Sequence, residues 1–293
     1  MDDGDWLAER FEDHRPHLRA VAYRMLGSLS EADDAVQDAW LRLSRAGTGG
    51  VDNLGGWLTT MVARLCLDRL RARASRREQP LGVHLPDPVV SRQEGVDPEQ
   101  QALLAEGVGL ALLVVLETLA PAERLAFVLH DLFAVPFDEI APIVGRSPAA
   151  ARQLASRARR RVRRQAPVPD PDPARQRELV DAFLTAAQQG DFTALVEVLD
   201  PEVVLHADGG EAAGAVTVLR GAAAVAEGAL AFSGRARFAR PVLVNGAAGV
   251  LVAAHGRPLA VMGFTVAGGR IVEIDVIADP DRLRHLDLAA LEA

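Results

Sequence analysis

The 293-residue chain contains no lysine, so its 32 basic residues are all arginine; it has one cysteine, Cys66, and one tyrosine. A single thiol excludes a disulfide framework. No apolar run of about eighteen residues occurs, which excludes a predicted spanning helix, and no apolar segment precedes a cleavage site near Met1. The expected location is therefore the cytoplasm, with no membrane partner. Spaced cysteine and histidine ligand sets, a glycine-rich phosphate loop and a nucleophile motif are all lacking, and the seven histidines are scattered. These absences predict a non-enzyme with no catalytic residue, no cofactor and no metal. The arginine-only usage fits a GC-rich coding genome as well as it fits bidentate phosphate chemistry, and carries little functional weight.

What is present is charge that is sharply segregated. The net charge of −8 argues against nucleic acid only if it is uniform, yet six arginines fall in 64–77 and seven in 152–164. The second cluster follows Ser147-Pro148, a cap residue and a first-turn proline, so it starts a helix. Ala151, Leu154, Ala155, Ala158 and Val162 form its apolar stripe. Arg152, Gln153, Ser156, Arg157 and Arg160 face the other way, with donors suited to base edges near the helix start and to phosphates beyond it. Upstream, Ile140, Ile143 and Val144 give a short helix, and Gly145-Arg146-Ser147 separates the two. The pattern is a helix-turn-helix with the basic helix second. A solvated basic surface helix is the plainer reading, and the capped start after a tight turn weighs against it.

Along the chain, residues 1–77 read as three helices. In the second, Ala35, Val36, Ala39, Trp40 and Leu43 make a buried stripe, and Asp33, Asp34, Gln37 and Asp38 face outward. The third buries Trp57, Leu58, Met61, Val62, Leu65 and Leu70 and presents Arg64, Asp68, Arg69, Arg71 and Arg73, with Arg76 and Arg77 beyond. Residues 78–100 form a proline-rich tether whose patch Leu81–Pro86 is apolar enough to dock on another surface. Residues 101–166 are helical, with a predicted helix over Ala122–Phe133. A second linker, 167–174, alternates proline and is expected to be extended. The remainder, 175–293, starts with helices and continues as strands about Val203–Ala207, Phe238–Asn245, Gly249–Ala254, Leu259–Ala267 and Arg270–Ala278. Asn245-Gly246 and Gly268-Gly269 are hairpin signals. The fold class is thus multidomain: two all-α domains, then an α+β domain with a curved antiparallel sheet.

The segment Glu31–Leu43, EADDAVQDAWLRL, resembles the core-polymerase-binding helix of region 2 in extracytoplasmic-function (ECF) sigma factors. Trp57-Leu58 through Asp68-Arg69-Leu70-Arg71 is similar to the part of region 2 that opens and reads the −10 element. Phe137–Arg164 resembles the region 4 helix-turn-helix for −35, and residues beyond 175 resemble a SnoaL-like domain of the NTF2-like superfamily, a cone-shaped α+β fold that one ECF subgroup carries fused. That subgroup has a WLPEP-like linker motif, a DGGGK-like motif and an NPDKL-like tail. The counterparts here are His84-Leu85-Pro86-Asp87-Pro88, Asp208-Gly209-Gly210-Glu211-Ala212 and Asp279-Pro280-Asp281-Arg282-Leu283, which depart at the missing tryptophan and at Glu211-Ala212.

The resemblance implies promoter-specific initiation with core RNA polymerase and promoter DNA as partners. Asp33, Asp34, Gln37, Asp38 and Trp40 would meet the β′ clamp. Arg64, Asp68, Arg69, Arg71, Arg73, Arg76 and Arg77 would serve −10, while Arg152, Gln153, Ser156, Arg157 and Arg160 would serve −35. A regulatory contact is expected between Leu85, Pro86, Asp87, Pro88 and Asp208, Gly209, Gly210. Two other readings stay open: a helix-turn-helix regulator that is not a sigma factor, and a small-molecule enzyme fused to a DNA-binding module. For the latter, His206, Asp208, His255 and Asp275 are the acid–base candidates, although isolated His and Asp at strand ends are more often surface or turn residues. A small-molecule ligand of the C-terminal domain and an anti-sigma partner are left open.

Overall fold

The computed structural model describes residues 3–46, 53–75, 85–92, 109–210 and 216–286. It divides into two compact units: one holds the helices up to residue 75 and residues 115–165, the other holds 85–92, 109–114 and the described residues from 166 onward.

The first unit is all helical. Helices Asp3–Leu26, Leu29–Ala46 and Leu54–Ser75 pack on one another. Phe11, Leu18, Val21, Leu26, Val36 and Leu58, each at most 1% exposed, lie at their contacts. Gly27, at φ 72°, makes the turn between the first two helices. The third is capped by Asn53, whose Oδ1 accepts from the Gly56 N–H at 2.9 Å. The Trp40 ring meets that of Phe11 at a tilt, 5.1 Å between centroids. In the second half of the unit, Pro121–Phe127 is α-helical, but Val128–Leu132 widens into a π turn. The single helix expected over Ala122–Phe133 is therefore interrupted. The wider turn brings His130 onto the Phe137 ring at 3.8 Å and its Nδ1 to the Val135 carbonyl at 3.0 Å. The helices Phe137–Val144 and Pro148–Gln165 follow. Arg124, 1% exposed, joins the two halves: Nε and Nη2 donate to the Arg24 carbonyl at 3.2 and 3.1 Å, and Nη1 pairs with Glu117 at 2.8 Å.

The second unit is α+β. Among the described residues its strands are β1 (Val90–Ser91), β2 (Leu199–Asp208), β3 (Thr217–Arg220), β4 (Ala239–Val244), β5 (Ala247–Ala254), β6 (Arg257–Ala267) and β7 (Arg270–Ile277). They run in the order β1-β4-β5-β6-β7-β2-β3. Every pair is antiparallel except β2 with β7. Helices Pro173–Gln189, Phe192–Val198 and Ala222–Ala231 pack on one sheet face, where Phe183, Leu195, Val225, Phe264 and Ile274 form the core. On the other face Gly263 lets Leu110 approach closely, since a Cβ at Gly263 would lie 3.2 Å from Leu110 Cδ2. The proline-alternating linker is pinned by Asp170, whose carboxylate accepts from the Gly268 and Gly269 N–H groups at 3.0 and 2.8 Å. Residues 85–92 are fixed as well. Leu85, Val89 and Val90 are at most 4% exposed, and the Val89 N–H donates to the Asn245 side chain at 3.1 Å.

Candidate functional site

The basic helix Pro148–Gln165 owes its placement to Gly145, which ends the preceding helix at φ 68°, and to Ser147, whose Oγ accepts from the Ala150 N–H at 3.3 Å. Ala151, Ala155 and Ala158 are fully buried, so the helix lies close against its neighbours and turns its other side to solvent. Arg152, Gln153, Ser156, Arg157 and Arg160 are all exposed on that side. They are not equally available. Arg152 lies over the Phe137 ring at 5.1 Å, and Arg157 Nε donates to Glu123 at 2.7 Å. Arg159 pairs with Asp131, and Arg161 donates to the Thr118 carbonyl, so these two arginines of the basic run tie the helix to its own unit.

In the first three helices, Asp33, Asp34 and Gln37 are exposed, while Asp38 and Trp40 are half-buried. Asp33 accepts from Arg19 Nε at 2.6 Å and Asp38 from Arg69 Nη2 at 2.7 Å. Arg73 pairs with Glu31. Arg69 and Arg73 therefore join the third helix to the second, while Arg64, Asp68 and Arg71 stand exposed. Arg76 and Arg77 lie outside the described residues. A cleft of about 550 Å³ opens beside Arg64 and is lined by Arg42, Asn53, Trp57, Thr60, Met61 and Glu139. Cys66, fully buried, has its thiol pushed up to about 12 by that burial, against the pull of Arg69 and Arg124.

In the second unit, Arg282 is the meeting point of the three motif segments. Its Nη2 and Nε donate to Asp87 Oδ1 at 2.8 and 3.1 Å, and its Nη1 donates to Asp208 Oδ2 at 2.6 Å. Burial works against the guanidinium's charge, but the two carboxylates outweigh it and hold its pKa above the ordinary value. Asp208 Oδ1 also accepts from the Gly210 N–H at 3.0 Å, and Gly210, at φ 79°, would place a Cβ 2.8 Å from the Asp279 carboxyl carbon. Leu85, Pro86 and Pro88 are buried beside this clasp, whereas His84, Glu211 and Ala212 lie outside the described residues.

Two of the acid–base candidates also come together. His206 Nδ1 lies 3.0 Å from Asp275 Oδ1 and 3.5 Å from Glu273 Oε1. The two are mid-strand and buried, not at exposed strand ends as expected, because the parallel β2–β7 register sets His206 opposite Asp275. Glu273 escaped notice in the sequence, since only that register shows its partners. Burial and then the Asp275 charge push Glu273 up to about 7. Burial raises Asp275 too, partly offset by His206. For His206, burial pulls downward, but the Asp275 hydrogen bond and both carboxylate charges prevail and raise it. His255, by contrast, is exposed at the β5–β6 turn with φ 53°. Asp208 belongs to the Arg282 clasp.

The family models for Sigma-70 region 2 and Sigma-70 region 4 match residues 10–76 and 109–162. The chain is 42% identical over 287 residues to the ECF RNA polymerase sigma factor SigJ of Mycobacterium tuberculosis, covering 93% of this chain and 91% of that one. It belongs to the ECF RNA polymerase sigma factors. A crystal structure of M. tuberculosis SigJ superposes with a TM-score of 0.79 at 38% identity, covering 96% of this chain and 99% of that one. The probable ECF sigma factor SigI of M. tuberculosis is 36% identical over 98% of both chains. This sigma factor accordingly works with core RNA polymerase and promoter DNA to direct initiation, and the helical regions 2 and 4 are followed by an α+β domain. Membership overturns the reading as a plain helix-turn-helix regulator. No helix among the described residues is long and apolar enough to cross a membrane.

Proposed function

We propose that this sigma factor is a cytoplasmic initiation factor whose C-terminal domain restrains it by holding the tether between regions 2 and 4. The observation that carries this reading is the Arg282 clasp, a partly buried cation shared by Asp87 of the tether and Asp208 of the sheet. The β1–β4 pairing and Asn245 add backbone anchors beside it. In this reading the domain is a restraint and not a catalyst. Its His206–Asp275 pair supports that, because it lies on the sheet face opposite the one that bears Leu205 and Ile274 and packs against the helices.

Region 4 reads −35 with the exposed start of the helix Pro148–Gln165, from Arg152, Gln153, Ser156 and Arg157, and Arg160 meets phosphate. Region 2 docks the β′ clamp through Asp33, Asp34, Gln37, Asp38 and the rim of Trp40, and serves −10 with Arg64, Asp68, Arg69, Arg71, Arg73, Arg76 and Arg77. The cleft beside Trp57 and Arg64 has the aromatic and cationic walls that suit an unstacked base. Promoter selection from a pool randomised at −35, with reconstituted holoenzyme, tests the assignment. Wild type should enrich one motif, and Arg152→Ala should relax it at one position by about tenfold, as loss of about 1–3 kcal/mol per bidentate contact implies. Unchanged preference in Arg152→Ala, Gln153→Ala and Arg157→Ala alike would contradict it.

A further inference from the structure

The group of His206, Glu273 and Asp275 has no part in the clasp, and its chemistry is distinct. The parallel register places His206 beside Asp275, and Glu273, two residues back on β7, projects from the same face. One ligand atom from each of the three lies within 4.8 Å of the other two, and the imidazole nitrogen is 3.0 and 3.5 Å from the carboxylate oxygens. Donors held at about 2.0–2.2 Å from one ion sit roughly 3–3.5 Å apart, so these side chains already stand near a tripod. The side chains are 9%, 12% and 2% exposed for His206, Glu273 and Asp275.

Charge makes the same case independently of distance. Two carboxylates share one imidazole out of water, and among the described residues no arginine pairs with either of them. One imidazole can balance at most one of the two carboxylates, and a divalent ion balances both on groups that are already its natural ligands. One imidazole and two carboxylates suit zinc or manganese; a thiolate-seeking ion would find no sulfur, since the chain's one cysteine belongs to the other unit.

We propose that His206, Glu273 and Asp275 bind one divalent first-row metal ion, with zinc favoured over manganese by the usual order of affinities. Asp208 follows His206 by two residues on the same strand face, about 6.6 Å along β2 at the normal rise, and it is the sheet's contribution to the Arg282 clasp. An ion at His206 therefore stiffens the end of the strand that presents Asp208. Binding itself does not depend on what the clasp does in transcription.

The test uses the full chain, stripped by a chelator and titrated with zinc or manganese chloride by calorimetry, with thermal midpoints recorded alongside. The expected result is one zinc ion per chain, a raised midpoint that a chelator reverses, and weaker manganese binding. His206→Gln and Glu273→Gln should each lose that uptake. Glu273→Gln, at the least buried of the three positions, guards against a variant that merely misfolds. With cobalt chloride as a spectroscopic probe, the wild type should develop visible d–d bands that Glu273→Gln lacks. Absence of zinc and manganese uptake by the full chain would overturn the site, as would uptake that survives in both variants.

Discussion

Arg124 and Cys66 show how much of the helical unit is settled by single buried side chains. Arg124 spends its donors on the Arg24 carbonyl and on Glu117, and its side chain is 2% exposed. Arg124→Ala leaves that carbonyl and a carboxylate 15% exposed without their partner, which should cost about 3–5 kcal/mol. Urea unfolding measures it, and a loss below about 1 kcal/mol would show the network to be dispensable. The Cys66 thiol, pushed up to about 12, holds almost no thiolate at neutral pH. A thiol reagent should label it only as fast as the unit opens, with the rate rising in denaturant. Labelling of the native protein at the rate of an exposed thiol would contradict its burial. Arg124 could not be singled out in the sequence, because nothing in Ala-Glu-Arg-Leu marks an arginine for the interior. The acidic face was more legible: Asp33, Asp34 and Gln37 are exposed where a helical period puts them.

Elements were legible where local chemistry dictates them. Gly145 and Ser147-Pro148 announced both sides of the turn in the helix-turn-helix, since a left-handed C-cap and a side-chain N-cap are properties of a few adjacent residues. Gly145→Ala isolates the conformational part of this device. A Cβ there meets nothing within 4 Å, so the expected loss of about 1–2 kcal/mol comes from the φ of 68° alone. Thermal unfolding checks it, and an unchanged midpoint would mean that the turn relaxes without cost. Elements that depend on distant partners were not legible. The strand β1 is two residues long in a proline-rich stretch, and it exists because Val244 and Leu243 offer an open edge. The parallel β2–β7 pair joins residues 69 apart for His206 and Asp275, which no local period can reveal. The π turn at Val128–Leu132 was hidden for the opposite reason, since its apolar spacing still fits a regular helix.

At the scale of the molecule, promoter engagement and the packing of the helical unit pull in different directions. The −35 and −10 elements are about 25 base pairs apart, or about 85 Å along the duplex. Arg124 instead holds the region 4 half within hydrogen-bonding distance of the Arg24 carbonyl in the region 2 half. In the proposed reading, reaching both elements requires that packing to break and the tether to extend. The Arg282 clasp holds Asp87, in the middle of the tether, and in the proposed reading this is what favours the packed state. Regions 2 and 4 could be read from the sequence because each declares itself through one helix face. The clasp was foreseen only as two segments in proximity, and its cation, Arg282, became visible once the fold brought Asp87 and Asp208 to it.

The decisive measurement is transcription from the factor's own promoter by core polymerase loaded with the wild type or with Arg282→Ala, both at full length. Charge-assisted hydrogen bonds are worth about 1.5–3 kcal/mol at best, and partial exposure lowers that, so release should raise initiation by up to about tenfold. Higher output from Arg282→Ala is the result the account predicts. Equal or lower output from a variant that keeps its fold and still binds core polymerase would contradict the restraint.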